Sequence, residues 1–211
     1  LSPFKLSFLR WSMAFLLLMP FTYKRIIDDI DKYKKNFSYI LITSVLGVTI
    51  FNSFTYLSLQ TSMVINSSIM TSITPLLIIF FSWLIFKTPT YPRQFLGIIL
   101  SLIGVIFIIS KANFKNLIDL NFTKGDLWML SAVFSWGLYS VLLKKIDNTL
   151  SQLATLEVMI FFGLIFIFPF YIIETFDNSY FPKDSNEFLM ISYVAIFASI
   201  TSFFAWNKGV S

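Results

Sequence analysis

The sequence predicts an all-α polytopic membrane protein, built as an inverted repeat of two five-helix units and incomplete at both ends. Three observations carry that expectation. Hydrophobic residues make up 56% of the chain, charged residues only 13%, and mean hydropathy is +0.77; soluble proteins are about 45–50% apolar. Apolar runs long enough to cross a bilayer core as a helix of about 20 residues recur along the chain. Runs such as "PLLIIFFSWLIF" and "GLIFIFPF" do not alternate, whereas barrel strands of about ten residues do. Backbone facing lipid must satisfy its own hydrogen bonds, so continuous apolar runs of this length form helices.

Seven spans follow in order: 3–22, 37–59, 63–86, 93–110, 126–145, 151–173 and 187–207. The first lacks the charged start, short apolar run and small-residue cleavage site of a signal peptide. It carries Arg10 inside the apolar run. The third holds Pro75 near its middle, which removes a backbone donor and leaves the Thr71 carbonyl without its usual partner. Ser62 or Thr61 is the expected N-cap of that helix. In the fourth, Gly97, Ser101 and Gly104 fall at i, i+4 and i+7 and predict a close-packing seam. The sixth carries Glu157.

Net charge is +5, and its distribution sets the topology. With alternating spans, one side collects Lys24, Arg25, Lys32, Lys34, Lys35, Lys87, Arg93, Lys144 and Lys145. The other collects Lys111, Lys115, Lys124 and Lys183. Positive loops stay in the cytoplasm, so loops 23–36, 87–93 and 144–150 are cytoplasmic. The topology accounts for the lysines, so no nucleic-acid partner is expected. The chain has no Cys and no His, which removes disulfides, thiolate chemistry and imidazole metal sites.

The chain also resembles itself. "LSPFKLSFLRWSMAFLLLMPF" (1–21) over "LSQLATLEVMIFFGLIFIFPF" (150–170) matches Leu1 with Leu150, Ser2 with Ser151, Pro20 with Pro169 and Phe21 with Phe170, and sets Ala14 on Gly163. One further residue of shift sets Thr49 on Ser199, Ile50 on Ile200, Phe54 on Phe204 and Tyr56 on Trp206. The offset covers five crossings, an odd number, so the second copy is inverted. Inverted repeats are a recurring plan of secondary transporters, with the substrate near the midplane. The expected units are 1–111, lacking its first helix, and 124–211, lacking its last two.

The pieces "SPFKLSFLRWSMAFLLLMP", "FTYLSLQTSMVINSSIMTSITPLL", "QFLGIILSLIGVIFI", "GDLWMLSAVFSWGLYSVLLKK" and "SFFAWNKGVS" resemble, in this order, the EamA-type family of the drug/metabolite transporter superfamily. The family commonly carries an acidic residue at the cytoplasmic end of its fourth helix, where this chain has Thr88 in "FKTPTYPRQ". The resemblance implies a protein of the bacterial cytoplasmic (inner) membrane that moves small metabolites such as amino acids without ATP.

Residues 52–75, "NSFTYLSLQTSMVINSSIMTSITP", include thirteen Ser, Thr, Asn or Gln and no charge. Ser68, Thr71, Ser72 and Pro75 fall on one helical face, and Asn52, Thr55 and Tyr56 form a similar set. Small hydroxyls also serve helix packing. Asn is costlier to bury, so Asn52 and Asn66 are assigned to a cavity. Trp136 lies near mid-span, away from the interfacial belt that suits Trp83 and Trp128, and with Tyr139 it extends the expected wall. Trp206 and Asn207, in the second copy, are assigned with them.

The expected substrate pathway is Asn52, Tyr56, Asn66, Thr71, Pro75, Trp136, Tyr139, Trp206 and Asn207, a polar wall without fixed charge for a neutral or zwitterionic metabolite. Arg10 and Glu157 are candidates for charge handling or proton coupling, although Arg10 is close enough to a span end to snorkel. No cofactor is implied. The function expected is secondary transport, more often export. A non-transporting scaffold subunit and an intramembrane enzyme stand as alternatives; the enzyme would need a nucleophile with its base, a metal site or paired acids.

Overall fold

A computed structural model of the chain describes residues 2–89, 91–109, 123–177, 181–182 and 184–210. Among them all regular structure is helical. Pro3 sits in the first turn of α1 (Pro3–Asp28), where its missing N–H costs nothing, and the helix runs on through Pro20. After it come α2 (Ile30–Lys35), α3 (Phe37–Thr43), α4 (Asn52–Ser58), α5 (Val64–Thr71), α6 (Thr74–Phe86) and α7 (Pro92–Ile109). Then follow α8 (Lys124–Leu142), α9 (Gln152–Asp177), α10 (Ser185–Tyr193) and α11 (Ser202–Val210).

Six helical stretches are long and apolar enough to cross a membrane: Pro3–Asp28, Phe37–Ser58, Val64–Phe86, Lys124–Lys145, Gln152–Phe176 and Ser185–Val210. The 18-residue α7 stands where the fourth span is expected. The chain is an all-α, multi-pass membrane protein.

Two spans contain a π-helical stretch, Ser44–Phe51 between α3 and α4 and Val194–Thr201 between α10 and α11, each eight residues long. Their starts and ends differ by 150, the offset that sets Thr49 on Ser199. Such stretches are uncommon and usually a single turn. Asn52 Nδ2 donates to the Gly47 and Val48 carbonyls at 2.7 and 3.3 Å. In the second stretch the hydroxyls of Ser199, Thr201 and Ser202 reach the carbonyl five residues back, at 3.3, 2.9 and 2.8 Å.

The chain divides into two units, Leu1–Ser53 with Leu142–Ser211, and Phe54–Val141. In the first, α1 and α9 pack antiparallel. Phe4 stacks on Phe170 (4.9 Å), Phe8 on Tyr171 (4.4 Å), and Phe15 lies 6.1 Å from Phe161. The packing crosses between the sequence copies: α1 lies against Val194–Thr201, and α9 against Ser44–Phe51. Gly163 permits the second contact, because a Cβ there would meet Val48 Cγ1 at 2.4 Å. Thr49 Oγ1 donates to the Gly163 carbonyl at 3.1 Å across the same seam. Ala14, aligned with Gly163, is fully buried. At one end of this unit the expected cytoplasmic loops meet: Arg25 Nη1 donates to Ser151 Oγ at 3.1 Å, and the Asp147 N–H to Asn36 Oδ1 at 3.2 Å.

In the second unit Gly137 lets α8 approach α6, with Leu77 Cβ 2.9 Å from where its Cβ would stand. Phe81 meets Phe134 edge to face at 4.8 Å, and Phe54 meets Trp128 at 4.8 Å. The expected seam along α7 is not found. A Cβ at Gly97 or Gly104 would meet nothing within 4 Å among the described residues. The spacing is helical, but among the described residues nothing presses on this face at Gly97 or Gly104. The side chain of Ser101, and Lys111, Lys115 and Lys183, lie outside what is described.

Candidate functional site

The third span is broken at its middle. α5 ends at Thr71, Ser72 and Ile73 form a turn, and α6 begins at Thr74 with Pro75 in its first turn. The Thr71 carbonyl, which the proline deprives of a backbone donor, is taken by the Thr74 hydroxyl at 2.6 Å. The Ser72 N–H and hydroxyl both reach the Ser68 carbonyl, at 3.2 and 2.9 Å. Hydroxyl side chains therefore supply the partners that the broken backbone needs away from water. Ser68, Thr71 and Pro75 are exposed on the unit and Ser72 is half-buried, so the polar face points away from that unit's core. Ser72 and Pro75 line a cavity of about 350 Å³ with Ile79, Gln94, Gly97 and Ile98.

The inward face of α5 meets an acid that the sequence reading passed over. Asp126 is buried, and the Ser62 hydroxyl donates to its Oδ1. Its Oδ2 receives the Thr123 N–H at 2.5 Å, the Thr123 hydroxyl at 3.2 Å and Asn66 Nδ2 at 3.4 Å. Thr123 precedes α8 and Asp126 is its third residue, so "TKGD" has the spacing of a capping box and forms its carboxylate half. That four-residue pattern was the available signal. Gly125 makes the approach possible: a Cβ there would stand 2.6 Å from the Ser58 carbonyl and the Ser62 nitrogen. Ser62, expected as the N-cap of the third span, makes no cap bond; Met63 holds that position. Asn66 is thus buried in a cluster that ties the turn before α5 to the start of α8.

Also in this unit, Trp136 is half-buried with its ring 5.0 Å from that of the fully buried Tyr139. Tyr56 is half-buried on α4. Trp83 and Trp128 are 49% and 40% exposed near helix ends.

In the first unit Arg10 does not snorkel. It is buried, its Nη2 donates to Asn52 Oδ1, and its guanidinium lies 4.9 Å from the centre of the Trp11 ring. Asn52 therefore links a buried cation to the carbonyls of the first π-helical stretch. Glu157 is 2% exposed, and neither carboxylate oxygen has a hydrogen-bond partner among the described residues. It lines a cavity of about 400 Å³ between α1, α2, α3 and α9. Tyr33, also on this wall, lies 3.5 Å from Thr155 Oγ1; burial pushes its phenol up, against the pull of the Thr155 hydrogen bond. Asn207 is buried and borders a small polar cavity of about 40 Å³ beside the 143–152 segment, while Trp206 is half-buried.

Some of the predicted residues come together, and Asn66 joins Asp126 instead. Arg10 joins Asn52, Trp136 joins Tyr139, and Thr71 and Pro75 flank the helix break. Glu157 stands in its own cavity. Among the described residues no three His, Cys, Asp or Glu side chains converge to hold a metal ion.

The model of the EamA-like transporter family matches residues 1–110 and again residues 123–211. The uncharacterized transporter YyaM of Bacillus subtilis is 23% identical over 180 residues, 85% of this chain and 59% of that protein. YetK of the same organism is 25% identical over 84% of this chain and 54% of its own length. An uncharacterized transporter of Archaeoglobus fulgidus is 26% identical over 98% of the chain and 70% of its own. The chain spans little more than half the length of the two Bacillus relatives. No solved structure matches it. With a twofold match over nearly its full length, the chain belongs to the EamA-like transporter family.

Proposed function

We propose that the protein is a secondary transporter that exports small neutral or zwitterionic metabolites, such as amino acids, by alternating access between inverted repeats 1–111 and 124–211. The break at Ser72–Ile73 carries this reading. A discontinuous mid-span helix with uncharged polar side chains on its open face is how many transporters build a substrate site. The cavity beside Ser72 and Pro75 supports it. The antiparallel pairing of α1 with α9, and the two π-helical stretches 150 residues apart, support the repeat.

In this reading Thr71, Pro75, Trp136, Tyr139, Tyr56, Trp206 and Asn207 are the pathway residues. Asn52 and Asn66 hold its walls through Arg10 and Asp126. Glu157 supplies the ionisable group for coupling. The nine positive charges support a cytoplasmic side for loops 23–36, 87–93 and 144–150.

Thiol labelling tests the pathway, since the chain contains no cysteine of its own. Single Cys substitutions at Thr71, Ser72 and Trp136 of the full-length protein should react with membrane-impermeant reagents, and substrate should slow the reaction. Labelling confined to a loop control such as Asn148 would remove the pathway from this face.

A further inference from the structure

We propose that the cavity between α1, α2, α3 and α9 binds a hydrophobic primary amine, with the ammonium group on Glu157 and the hydrocarbon body among its apolar walls. The cavity holds about 400 Å³, within the roughly 300–1,000 Å³ of small-molecule sites. Phe15, Met19, Ile26, Phe37, Phe161 and Phe162 are among its lining residues, and Glu157 lines it from α9. A carboxylate 2% exposed with both oxygens unpartnered needs a reason. A ligand that brings donors supplies one.

The surroundings narrow the ligand. Arg10 is directed at Asn52 and Trp11. Lys34, at the cavity edge, pairs with Asp31 at 3.0 Å and is mostly exposed. A divalent ion needs several oxygen ligands, and no cluster of three acidic side chains stands here among the described residues. A neutral apolar molecule would leave both oxygens unmet. A zwitterion would bring a second carboxylate to walls already dominated by aromatic and aliphatic groups. An ammonium answers the carboxylate, and Phe15, Phe161 and Phe162, whose rings can attract a cation, line the same cavity.

The inference goes beyond the transport reading and does not rest on it. It is tested by binding at fixed neutral pH, so its failure leaves the flux experiments untouched. The probes are 2-phenylethylamine and its uncharged counterpart 2-phenylethanol, titrated calorimetrically into full-length protein in nanodiscs. The amine should bind at least about tenfold more tightly, as expected for a charge-assisted hydrogen bond. Glu157→Gln should bring the two probes within about twofold of each other while alcohol binding persists. Val158→Trp should fill the cavity and abolish both. Persistent alcohol binding shows that Glu157→Gln is folded, and unchanged gel filtration is the check for Val158→Trp; should that variant misfold, Phe162→Trp replaces it. Equal affinity of the probes in the unmodified protein would overturn the proposal, as would a preference that survives Glu157→Gln. So would absence of binding by both, the result expected where lipid or another segment fills the cavity.

Discussion

Arg10 and Asn52, 42 residues apart, are joined by a hydrogen bond from guanidinium to carboxamide oxygen, and the same carboxamide donates to the Gly47 carbonyl at 2.7 Å. A buried cation in α1 is therefore tied to the wide turns of Ser44–Phe51. Asn52→Leu keeps the volume but removes these bonds and the weaker one to the Val48 carbonyl. It should lower stability by roughly 1.5–3 kcal/mol, the range for hydrogen bonds to charged groups. Thermal unfolding in nanodiscs would measure it, and a Tm equal to the parent's would sever the link.

Gly163 and Val48 make the closest approach between α9 and the first π-helical stretch. Gly163→Ala forces a methyl into space that Val48 occupies and should cost about 1–3 kcal/mol, the usual range for overpacking. Val48→Ala added to it should recover part of the loss. Non-additive Tm values in the double variant are the signature to look for; simple addition would mean the two residues do not meet.

Pro75→Ala should raise stability and slow exchange together. The restored N–H can take the Thr71 carbonyl from the Thr74 hydroxyl and join α5 to α6. In the first turn of α6 the proline itself costs little, so the gain comes from the new backbone bond, about 0.5–1.5 kcal/mol. A faster carrier, or one unchanged in rate, would show that the break is only structural.

Glu157→Gln should abolish pH-driven uptake and leave substrate exchange at equal pH intact. The ionisable groups that share its cavity are Tyr23, Tyr33 and Lys34, so Lys34→Met serves as the control that keeps the gradient response. Equal loss of uptake and exchange in Glu157→Gln would point to folding or binding in place of coupling.

The loop after α8 has its own acid sensitivity. The Thr149 N–H, 2.8 Å from Asp147 Oδ1, and the Thr149 hydroxyl hold the Asp147 carboxyl below its ordinary value of 3.8, with Lys32 and Lys35 contributing. A depressed folded pKa means the stabilisation is present above 3.8 and is lost as pH falls through the lower folded value. The Thr149 amide shift followed by NMR should titrate below 3.8, and Asp147→Asn, which keeps the acceptor, should flatten it. A midpoint at or above 3.8 would contradict the hydrogen bond.

Much of this was legible in the sequence because membranes leave few choices. Apolar length announced the spans, and Pro75 announced the break with its orphaned Thr71 carbonyl. What the sequence did not show was the carbonyl's replacement partner, Thr74, one residue from the proline. The π-helical stretches were invisible because "SVLGVTIF" and "VAIFASIT" are apolar on nearly every side, so hydrophobic period cannot separate 3.6 residues per turn from a wider one. Asp126 was not legible as a buried cluster, because "TKGD" marks a helix start and says nothing of the Ser62 and Asn66 side chains that fold onto it. Gly97 and Gly104 misled for the opposite reason: small-residue spacing permits close packing but does not supply a neighbour. Arg10 and Glu157 were both visible as charges in spans. Only packing distinguished a cation with its carboxamide from a carboxylate alone in a cavity.

Counterflow is the most direct test of transport. The full-length protein, reconstituted into proteoliposomes loaded with pooled amino acids and other small metabolites, should accumulate a labelled counterpart from outside without ATP or an imposed gradient. Dividing the pool would then name the substrate class. Folded protein that exchanges nothing from pools covering neutral, zwitterionic and charged metabolites would contradict a carrier.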